Sequence, residues 1–286
     1  MQHLKILVEL TRLNKPIGFM LLFWPCSWGL AYAYSIQQNL NIFLYYLILF
    51  FLGSVLMRSA GCIFNDIVDK DFDKKVRRTK KRPIPSGKIT VKKALVYVLI
   101  LCLFAFLILL QFNLLTIFLG MSSMLLAFSY PYMKRITFWP QLFLGITFNW
   151  GIIITWTSIN NSINPEILIL YLSAIFWTLG YDTIYGAQDM SDDEIIGLKS
   201  TSIKFKKNIR LFVSISYFIS VALMLYLFKI FLGNNLFTFC LLIFICSLLF
   251  QLLELKKNKS ENYLRLFKIN NYTGLLLFIS IYSINL

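Results

Sequence analysis

The feature that most constrains the fold of this chain is a series of long apolar stretches that recurs from one end to the other. Several reach the ~20 residues that an α-helix needs to cross a bilayer. A spanning helix satisfies its own backbone hydrogen bonds, which lipid cannot do. The sequence therefore predicts an all-α, polytopic membrane bundle. We predict nine transmembrane helices, at residues 17–35, 43–64, 94–111, 114–130, 141–157, 165–186, 211–231, 236–253 and 272–285.

The basic residues lie almost entirely in alternate connections between these predicted helices. Of the 28 Lys and Arg residues, 26 lie in five segments, at residues 1–16, 65–93, 131–140, 187–210 and 254–271. Nine spans would place all five segments on one side, and the positive-inside rule makes that side cytoplasmic. The N-terminus is then cytoplasmic. The same rule explains the net charge of +15 without a nucleic-acid partner.

The acidic residues are concentrated in a different way. All eight aspartates lie in two stretches, at residues 66–73 and 182–193, which the predicted topology puts on the same cytoplasmic face. A protein that needed acids only to keep its loops soluble would scatter them. This pattern therefore favours a shared acidic site over a purely structural membrane subunit.

The first acidic stretch follows the second predicted helix. Asn65, Asp69 and Asp73 recur at four-residue steps and would share a helix face, with Asp66 beside it. Carboxylates this close repel one another unless cations share them. A run of Lys and Arg follows at once, and oxygen ligands beside such cations suit Mg²⁺ and a phosphate-bearing substrate. The alternative is a solvent-exposed charged loop.

The second acidic stretch follows the sixth predicted helix. Asp182, Tyr185, Asp189 and Asp193 are spaced by three or four residues and would also share a helix face. Asp182 would lie deepest in the membrane, and an ionisable residue at depth is a functional candidate. The alternative is that Asp182 forms a structural ion pair with a buried base such as Arg58.

A turn with phosphate-binding character follows the second stretch. Gly197 precedes Lys199, Ser200 and Thr201, an ammonium and two hydroxyls. If the two acidic helix ends face each other, their carboxylates and Asn65 would hold one or two Mg²⁺ ions that grip a diphosphate. The apolar bundle beside them suits a long lipid tail. Neither the five cysteines nor the single histidine has the spacing of a sulfur or imidazole metal site.

These motifs resemble those of the UbiA prenyltransferase family, in the branch that prenylates 4-hydroxybenzoate for ubiquinone biosynthesis. The first acidic stretch continues through Arg78-Thr79-x-x-Arg82-Pro83-x-Pro85-Ser86-Gly87. The second continues into Gly197-x-Lys199-Ser200-Thr201. Weaker matches are Arg12-x-x-Lys15-Pro16 and Tyr130-Pro131-x-x-Lys134-Arg135. The resemblance covers nearly the whole chain, in order.

The resemblance implies nine helices around a central cavity that the two motifs cap on the cytoplasmic side. It implies Mg²⁺-dependent transfer of a polyprenyl group from polyprenyl diphosphate to the 3-position of 4-hydroxybenzoate, in a bacterial inner (cytoplasmic) membrane. Membrane lipids are the expected surroundings. The expected metal ligands are Asn65, Asp66, Asp69, Asp73, Asp189 and Asp193. The expected diphosphate-binding residues are Arg78, Arg82 and Lys199. The expected catalytic residues are Asp66, Asp69, Asp182, Tyr185 and Asp189, and Arg58 is the expected contact of the aromatic acceptor.

Residues 1–286 are expected to form one transmembrane prenyltransferase domain with two motif-bearing halves, roughly 1–135 and 136–286. Two alternatives to the expected reaction remain. The first is a related enzyme acting on another aromatic acceptor. The second is a transporter of anionic lipids, which intramembrane charge also suits but which gives no reason for two aspartate arrays. Aromatic side chains are further candidates as shields for a carbocation, namely Phe64, Tyr130, Phe148, Trp150 and Trp177.

Overall fold

The computed structural model of the protein describes residues 2–76, 79–255 and 260–285, and within them the regular structure is helical. The chain order of the helices is α1 (Gln2–Thr11), α2 (Ile17–Gln37), α3 (Leu40–Val68), α4 (Lys70–Asp73), α5 (Val91–Leu109), α6 (Leu114–Ile136), α7 (Pro140–Asn160), α8 (Pro165–Gly186), α9 (Met190–Ile195), α10 (Thr201–Lys204), α11 (Ile209–Leu227), α12 (Leu236–Leu255) and α13 (Ser260–Tyr282).

Eight of these helices are long and apolar enough to cross a membrane, counting only the described residues: α2, α3, α5, α6, α7, α8, α11 and α12. The prediction of an all-α polytopic membrane protein is thereby confirmed. A count of nine spans stays a prediction. The ninth predicted span, residues 272–285, lies in the second half of α13, which begins twelve residues earlier and is more polar than the other long helices.

The polar residues of α13 are buried against other helices. The side chain of Asn270 accepts a hydrogen bond from Trp177 Nε1 of α8 at 3.1 Å and donates one to Gln251 Oε1 of α12 at 3.0 Å. Gln251 Oε1 also accepts a bond of 2.8 Å from the hydroxyl of Tyr217 in α11. Because each polar group has a partner, α13 can be buried in the bundle despite its low hydropathy.

Helices α2, α7 and α8 form the interior of the bundle. Trp28 of α2 and Trp177 of α8 are fully buried, with ring centroids 4.9 Å apart. Helices α2 and α7 approach so closely that a Cβ on Gly29 would lie 2.6 Å from the carbonyl oxygen of Ile152. The outer helices instead expose large apolar side chains, including Leu99, Phe118 and Phe239, as expected for helices that face lipid.

Polar caps fix where several of the outer helices begin. Asn39, Thr90 and Asn113 precede α3, α5 and α6, and each side chain accepts a hydrogen bond from the amide three residues further on. Asn113 also donates to the carbonyl oxygen of Thr157 at 2.7 Å. These contacts hold α6 and α7 together at the end of the bundle opposite the acidic stretches.

Candidate active site

A cavity of about 1060 Å³ runs into the bundle from the end where α3 and α8 finish. Both acidic stretches line its polar end. Its other end is apolar and is lined by side chains of α3, α5, α6 and α7. Leu99 and Leu103 of α5 and Met121 of α6 line this part and are also strongly exposed, so the apolar end of the cavity lies beside the lipid-facing surface of α5 and α6.

The first acidic stretch keeps a nearly helical path past the end of α3. The amide of Asp69 donates to the carbonyl oxygen of Asn65 at 2.9 Å, and the amide of Asp73 donates to that of Asp69 at 2.8 Å. The predicted face is therefore present, and Asn65, Asp66, Asp69 and Asp73 all line the cavity. Asp71 is exposed and pairs instead with Lys74 at 3.3 Å.

Basic side chains hold the three buried carboxylates of this stretch. Arg12 contacts Asp66 Oδ1 at 2.6 Å. Arg82 bridges Asp66 at 3.0 Å and Asp73 at 2.8 Å, so this predicted diphosphate ligand pairs with aspartates here. Asp69 is held by the ammonium of Lys134 and, at 3.3 Å, by Arg135. The other predicted cation of this motif, Arg78, lies outside the described residues.

These pairs act on the pKa values of groups at the mouth of the cavity. Burial raises the pKa of Asp69, and the charges of Lys134 and Arg135 offset this only in part. Burial lowers the pKa of Arg12, but the charges of the carboxylates Asp66 and Asp73 outweigh it and raise the pKa overall. Both groups are therefore governed by the same competition between desolvation and charge pairing.

Three residues of this cluster are missing from the sequence-based set of functional residues: Arg12, Lys134 and Arg135. Arg12 has a left-handed backbone conformation with φ of 56°, which is uncommon for a residue with a Cβ and concentrates at functional sites. The weaker family matches at Arg12-x-x-Lys15-Pro16 and at Lys134-Arg135 contain these residues. Those two matches were the sequence features that could have identified these residues. Local spacing does not predict charge pairs between residues near α1, α3 and α6.

The second acidic stretch approaches the same polar end from α8. Asp182 and Tyr185 lie on the last two turns of α8, and Asp189 and Asp193 lie at the start of α9 and within it. All four line the cavity, as their spacing predicts. The ring of Tyr185 packs on Phe267 of α13, with centroids 4.3 Å apart. The structure thus brings the two predicted arrays to one cavity.

The turn after α9 is fixed by hydrogen bonds to three other helices, α6, α7 and α8. The amide of Thr201 donates to Gln141 Oε1 at 2.9 Å, and the hydroxyls of Thr183 and Thr201 lie 2.6 Å apart. The amide of Lys199 donates to the carbonyl oxygen of Lys134 at 2.8 Å. Gly197 supplies the positive φ, 78°, with which the turn begins.

The predicted diphosphate ligand Lys199 lines the cavity, but its ammonium is occupied elsewhere. Lys199 Nζ donates to the carbonyl oxygen of Ile136 at 3.1 Å and lies 5.7 Å from the centre of the Phe138 ring. No described carboxylate pairs with it. Its proposed role therefore requires its side chain to turn towards the acidic cluster.

Arg58 lies inside α3 and lines the cavity. It shares a helix face with Asn65, as predicted. Its guanidinium carbon is 5.2 Å from the centre of the Phe148 ring, and its buried Nε has no hydrogen-bond partner. No salt bridge joins it to Asp182 within the described chain. The alternative of a structural ion pair is therefore not formed as a direct contact there, although the charges of Arg58 and Asp182 interact at longer range. Of the aromatic candidates, Tyr130 and Phe148 line the cavity, whereas Phe64, Trp150 and Trp177 do not.

The donor set at the polar end has the chemistry that Mg²⁺ requires. It consists of carboxylate and amide oxygens, with no imidazole, and hard divalent cations prefer oxygen ligands. The described residues do not present three carboxylates already converging on one point, because Arg12, Arg82, Lys134 and Arg135 hold them separately. The residues fit the ion by donor type, and metal binding would require some of these pairs to open.

Comparison with known proteins identifies relatives of this chain. Over 282 residues the chain is 40% identical to a 4-hydroxybenzoate octaprenyltransferase of Blochmanniella pennsylvanica, covering 97% of this chain and 94% of that protein. It is 49% identical over 207 residues to a mitochondrial 4-hydroxybenzoate polyprenyltransferase of Arabidopsis thaliana. That match covers 72% of this chain and spans half the length of the plant protein.

The fold is similar to those of solved archaeal structures. A UbiA homologue from Aeropyrum pernix in its apo form gives a TM-score of 0.76 at 22% identity, covering 92% of this chain and 98% of that one. A UbiA homologue from Archaeoglobus fulgidus bound to GPP and Mg²⁺ gives 0.70 at 15% identity, covering 98% and 100%. Residues 22–272 match the model of the UbiA prenyltransferase family. Both acidic stretches lie at one end of a helical cavity, and the family model matches most of the length of the chain. The chain therefore belongs to the UbiA prenyltransferase family.

Proposed function

We propose that this protein transfers a polyprenyl group from polyprenyl diphosphate to the 3-position of 4-hydroxybenzoate and releases diphosphate, a step of ubiquinone biosynthesis. The observation that carries the proposal is the cavity with both aspartate arrays at its polar end and an apolar lining, beside the exposed side chains of α5 and α6, at its other end. One end suits a diphosphate and the other a polyprenyl chain. The high-coverage relatives named for this reaction support the choice of substrates.

The polar end would bind the diphosphate. Asn65, Asp66, Asp69 and Asp73 from α3 and α4, with Asp189 and Asp193 from the second stretch, are the proposed Mg²⁺ ligands. When bound, Mg²⁺ would neutralise charge on the diphosphate as it leaves. Arg82 and Lys199, together with Arg78 outside the described residues, are the proposed diphosphate contacts. Arg12 and Lys134 join this set because their cations already lie at the cavity wall.

The middle of the cavity would bind the aromatic acceptor. Arg58 would pair with its carboxylate, and this role is supported by a guanidinium that lines the cavity and a buried Nε that lacks a partner. Asp182 and Tyr185 would orient the ring or stabilise positive charge on the allylic carbon, and Tyr130 and Phe148 present aromatic rings to the same space. The ring carbon ortho to the hydroxyl is electron-rich, so it forms the new bond to the allylic carbon as the bond to diphosphate breaks. Loss of the ring proton then restores aromaticity.

The proposal includes an orientation of the protein in the membrane. The polar end of the cavity, the N-terminus and the basic segments would face the cytoplasm of a bacterial inner membrane, by the positive-inside rule. Residues 1–286 would act as one transmembrane domain, with each half supplying one acidic stretch.

Mass spectrometry of reaction products tests this proposal. Membranes containing the protein receive Mg²⁺, polyprenyl diphosphates of mixed length and a panel of aromatic acids, with the same membranes plus a chelator as control. We expect 3-polyprenyl-4-hydroxybenzoate as the principal product and none with the chelator. A principal product on another aromatic acid would point to a related enzyme of different specificity. Uptake of a lipid anion without chemical change would point to a transporter and refute the enzyme.

A further inference from the structure

A patch of aromatic and basic side chains lies where α7 and α11 begin, at the same end of the bundle as the acidic stretches. Phe205 and Phe212 stack with ring centroids 4.0 Å apart and an interplanar angle of 9°. The ring of Trp139 makes T-shaped contacts with both, at 5.8 Å and 5.9 Å. Lys204 Nζ lies 4.6 Å from the centre of the Trp139 ring. None of these four residues lines the cavity, so the patch is separate from the candidate active site.

The patch carries an excess of positive charge. Four basic side chains are exposed within seven residues of sequence, namely Lys204, Lys206, Lys207 and Arg210. Lys206 pairs with Glu194. Among the residues that the structure describes, no carboxylate pairs with the other three. A cluster of basic residues directly beside a membrane-spanning helix is typical of sites for acidic lipid headgroups, so the charge of the patch suits an anion at the membrane surface.

An apolar stripe on α11 begins directly after these cations. The stripe consists of Leu211, Ile215 and Phe218, which recur at steps of four and three residues and therefore share a helix face. All three side chains are at least half exposed. Helix α11 is long and apolar enough to span the membrane, so the α11 stripe faces lipid. A ligand that contacts both the cations and the stripe needs an anionic head joined to an apolar tail.

The backbone that carries Lys204 is fixed without a ligand. The amide of Lys204 donates to the carbonyl oxygen of Ser200 at 3.0 Å, within α10 and its cap. Thr201 ties α10 to α7 and α8, because its amide donates to Gln141 Oε1 at 2.9 Å and its hydroxyl lies 2.6 Å from that of Thr183. The Lys204 side chain itself stays exposed, so its ammonium can contact the indole and still donate to a phosphate oxygen. A preformed site of this kind loses little entropy when a ligand binds.

We propose that Lys204, Lys207 and Trp139 bind the headgroup of one anionic phospholipid, with an acyl chain along the α11 stripe. The two ammonium groups contact the lipid phosphate, and the indole lies at the level of the headgroups, where Trp is enriched in membrane proteins. A zwitterionic headgroup brings its own positive charge beside Lys204 and Lys207 and is therefore bound less tightly. The site does not rest on the proposed function, because it lies outside the cavity.

Lipid titration followed by native mass spectrometry tests the site. The full-length protein, delipidated in a neutral detergent, receives phosphatidylglycerol or phosphatidylcholine with the same acyl chains. We expect one phosphatidylglycerol to bind roughly 30-fold more tightly than phosphatidylcholine, which corresponds to about 2 kcal/mol for two basic residues. Equal binding of the two lipids would indicate non-specific lipid around the helices and would overturn the proposal. Displacement of phosphatidylglycerol by an equal concentration of inorganic phosphate would also overturn it, because the site would then take any small anion.

Two matched double variants test whether the lipid preference belongs to this patch. Lys204→Gln with Lys207→Gln removes two charges from the site. Lys92→Gln with Lys93→Gln removes two exposed charges from the start of α5, where no described aromatic ring lies against either lysine. We expect the first variant to lose the roughly 30-fold preference for phosphatidylglycerol and the second to keep it. Equal losses in both would mean general attraction between basic loops and acidic lipid, and would overturn the site.

A third variant tests the aromatic part of the site. Trp139→Leu keeps both charges but removes the ring that holds the Lys204 ammonium. A cation–π contact at an exposed site corresponds to roughly 2- to 5-fold in affinity, and we expect phosphatidylglycerol binding to weaken by that factor. An affinity equal to that of the wild type would contradict the site as described. Should Trp139→Leu not fold, the two lysine variants still decide the proposal, because they change only exposed side chains.

Discussion

The amide of Lys199 donates a 2.8 Å hydrogen bond to the carbonyl oxygen of Lys134, and this bond joins the two halves of the candidate site. The side chain of Lys134 holds Asp69 of the first acidic stretch. Lys199 belongs to the turn that follows the second stretch. The end of α6 therefore connects both stretches through one residue, using its side chain for the first and its backbone for the second.

Gln141 supplies the other support of that turn, and replacing it should weaken substrate binding. Gln141→Leu leaves the buried amide of Thr201 without its acceptor, a loss of ~1–3 kcal/mol for a buried donor. We expect a lower thermal midpoint and a raised KM for polyprenyl diphosphate. Gln37→Leu is the control, because that exposed amide bonds to Ile159 and Asn160 outside the cavity lining. Unchanged stability and KM in Gln141→Leu would show that the turn is held by its other contacts.

Arg58 should determine affinity for the aromatic acid. Arg58→Leu removes a guanidinium whose Nε is buried without a partner, and a hydrogen bond to a charged group is worth ~1.5–3 kcal/mol. We therefore expect the KM for 4-hydroxybenzoate to rise by roughly 10- to 150-fold, with the KM for polyprenyl diphosphate unchanged. Arg210→Leu, at an exposed site, is the matched control. Equal KM values for 4-hydroxybenzoate in Arg58→Leu and the wild type would restrict Arg58 to a structural role.

The close approach of α2 and α7 predicts a sharp difference between two glycines. A Cβ on Gly29 would overlap Thr155 Oγ1 and lie 2.6 Å from the carbonyl oxygen of Ile152, whereas one on Gly53 would meet nothing within 4 Å. Gly29→Ala should therefore destabilise the protein by ~1–3 kcal/mol through overpacking. Gly53→Ala should be neutral or slightly stabilising. Thermal unfolding in detergent measures both, and equal midpoints would contradict the packing described here.

The orientation of the bundle is testable by labelling single cysteines in a variant lacking the native ones. Cysteines at Ser86 and Ser191, both exposed beside the acidic end, should react with an impermeant reagent only from the cytoplasmic side. Cysteines at Asn39 and Asn161, exposed at the other end, should react only from outside. Reaction of Ser86→Cys and Ser191→Cys from opposite sides would be incompatible with a shared site.

Sequence periodicity predicted the features that depend on local order. The face formed by Asn65, Asp69 and Asp73 follows from four-residue steps, and the structure retains it through backbone hydrogen bonds even though α3 ends at Val68. The second array follows from the same logic. Long hydrophobic stretches were sufficient to locate the eight apolar spans.

Features that depend on distant partners could not be predicted in the same way. Hydropathy placed the start of the last helix at residue 272, whereas α13 begins at Ser260, because Asn270 is stabilised by Trp177 and Gln251. The cations that hold Asp66 and Asp69 come from Arg12 and Lys134, 54 and 65 residues away in sequence. Local spacing carries no information about such pairs, which is why these two residues were seen only as weak family matches.

The central claim is that both acidic stretches act on one diphosphate, and turnover of three variants tests it most directly. Asp69→Asn and Asp189→Asn each keep the side-chain size and remove one charge from opposite halves of the cavity. Loss of one strong electrostatic stabiliser typically lowers turnover by ~10²–10³-fold. We expect each single variant to lose that much at limiting Mg²⁺, with partial rescue at high Mg²⁺. The double variant should lose much less than the product of the two effects, because the diphosphate needs both stretches at once. Near-wild-type turnover of either single variant at limiting Mg²⁺ would contradict the shared site.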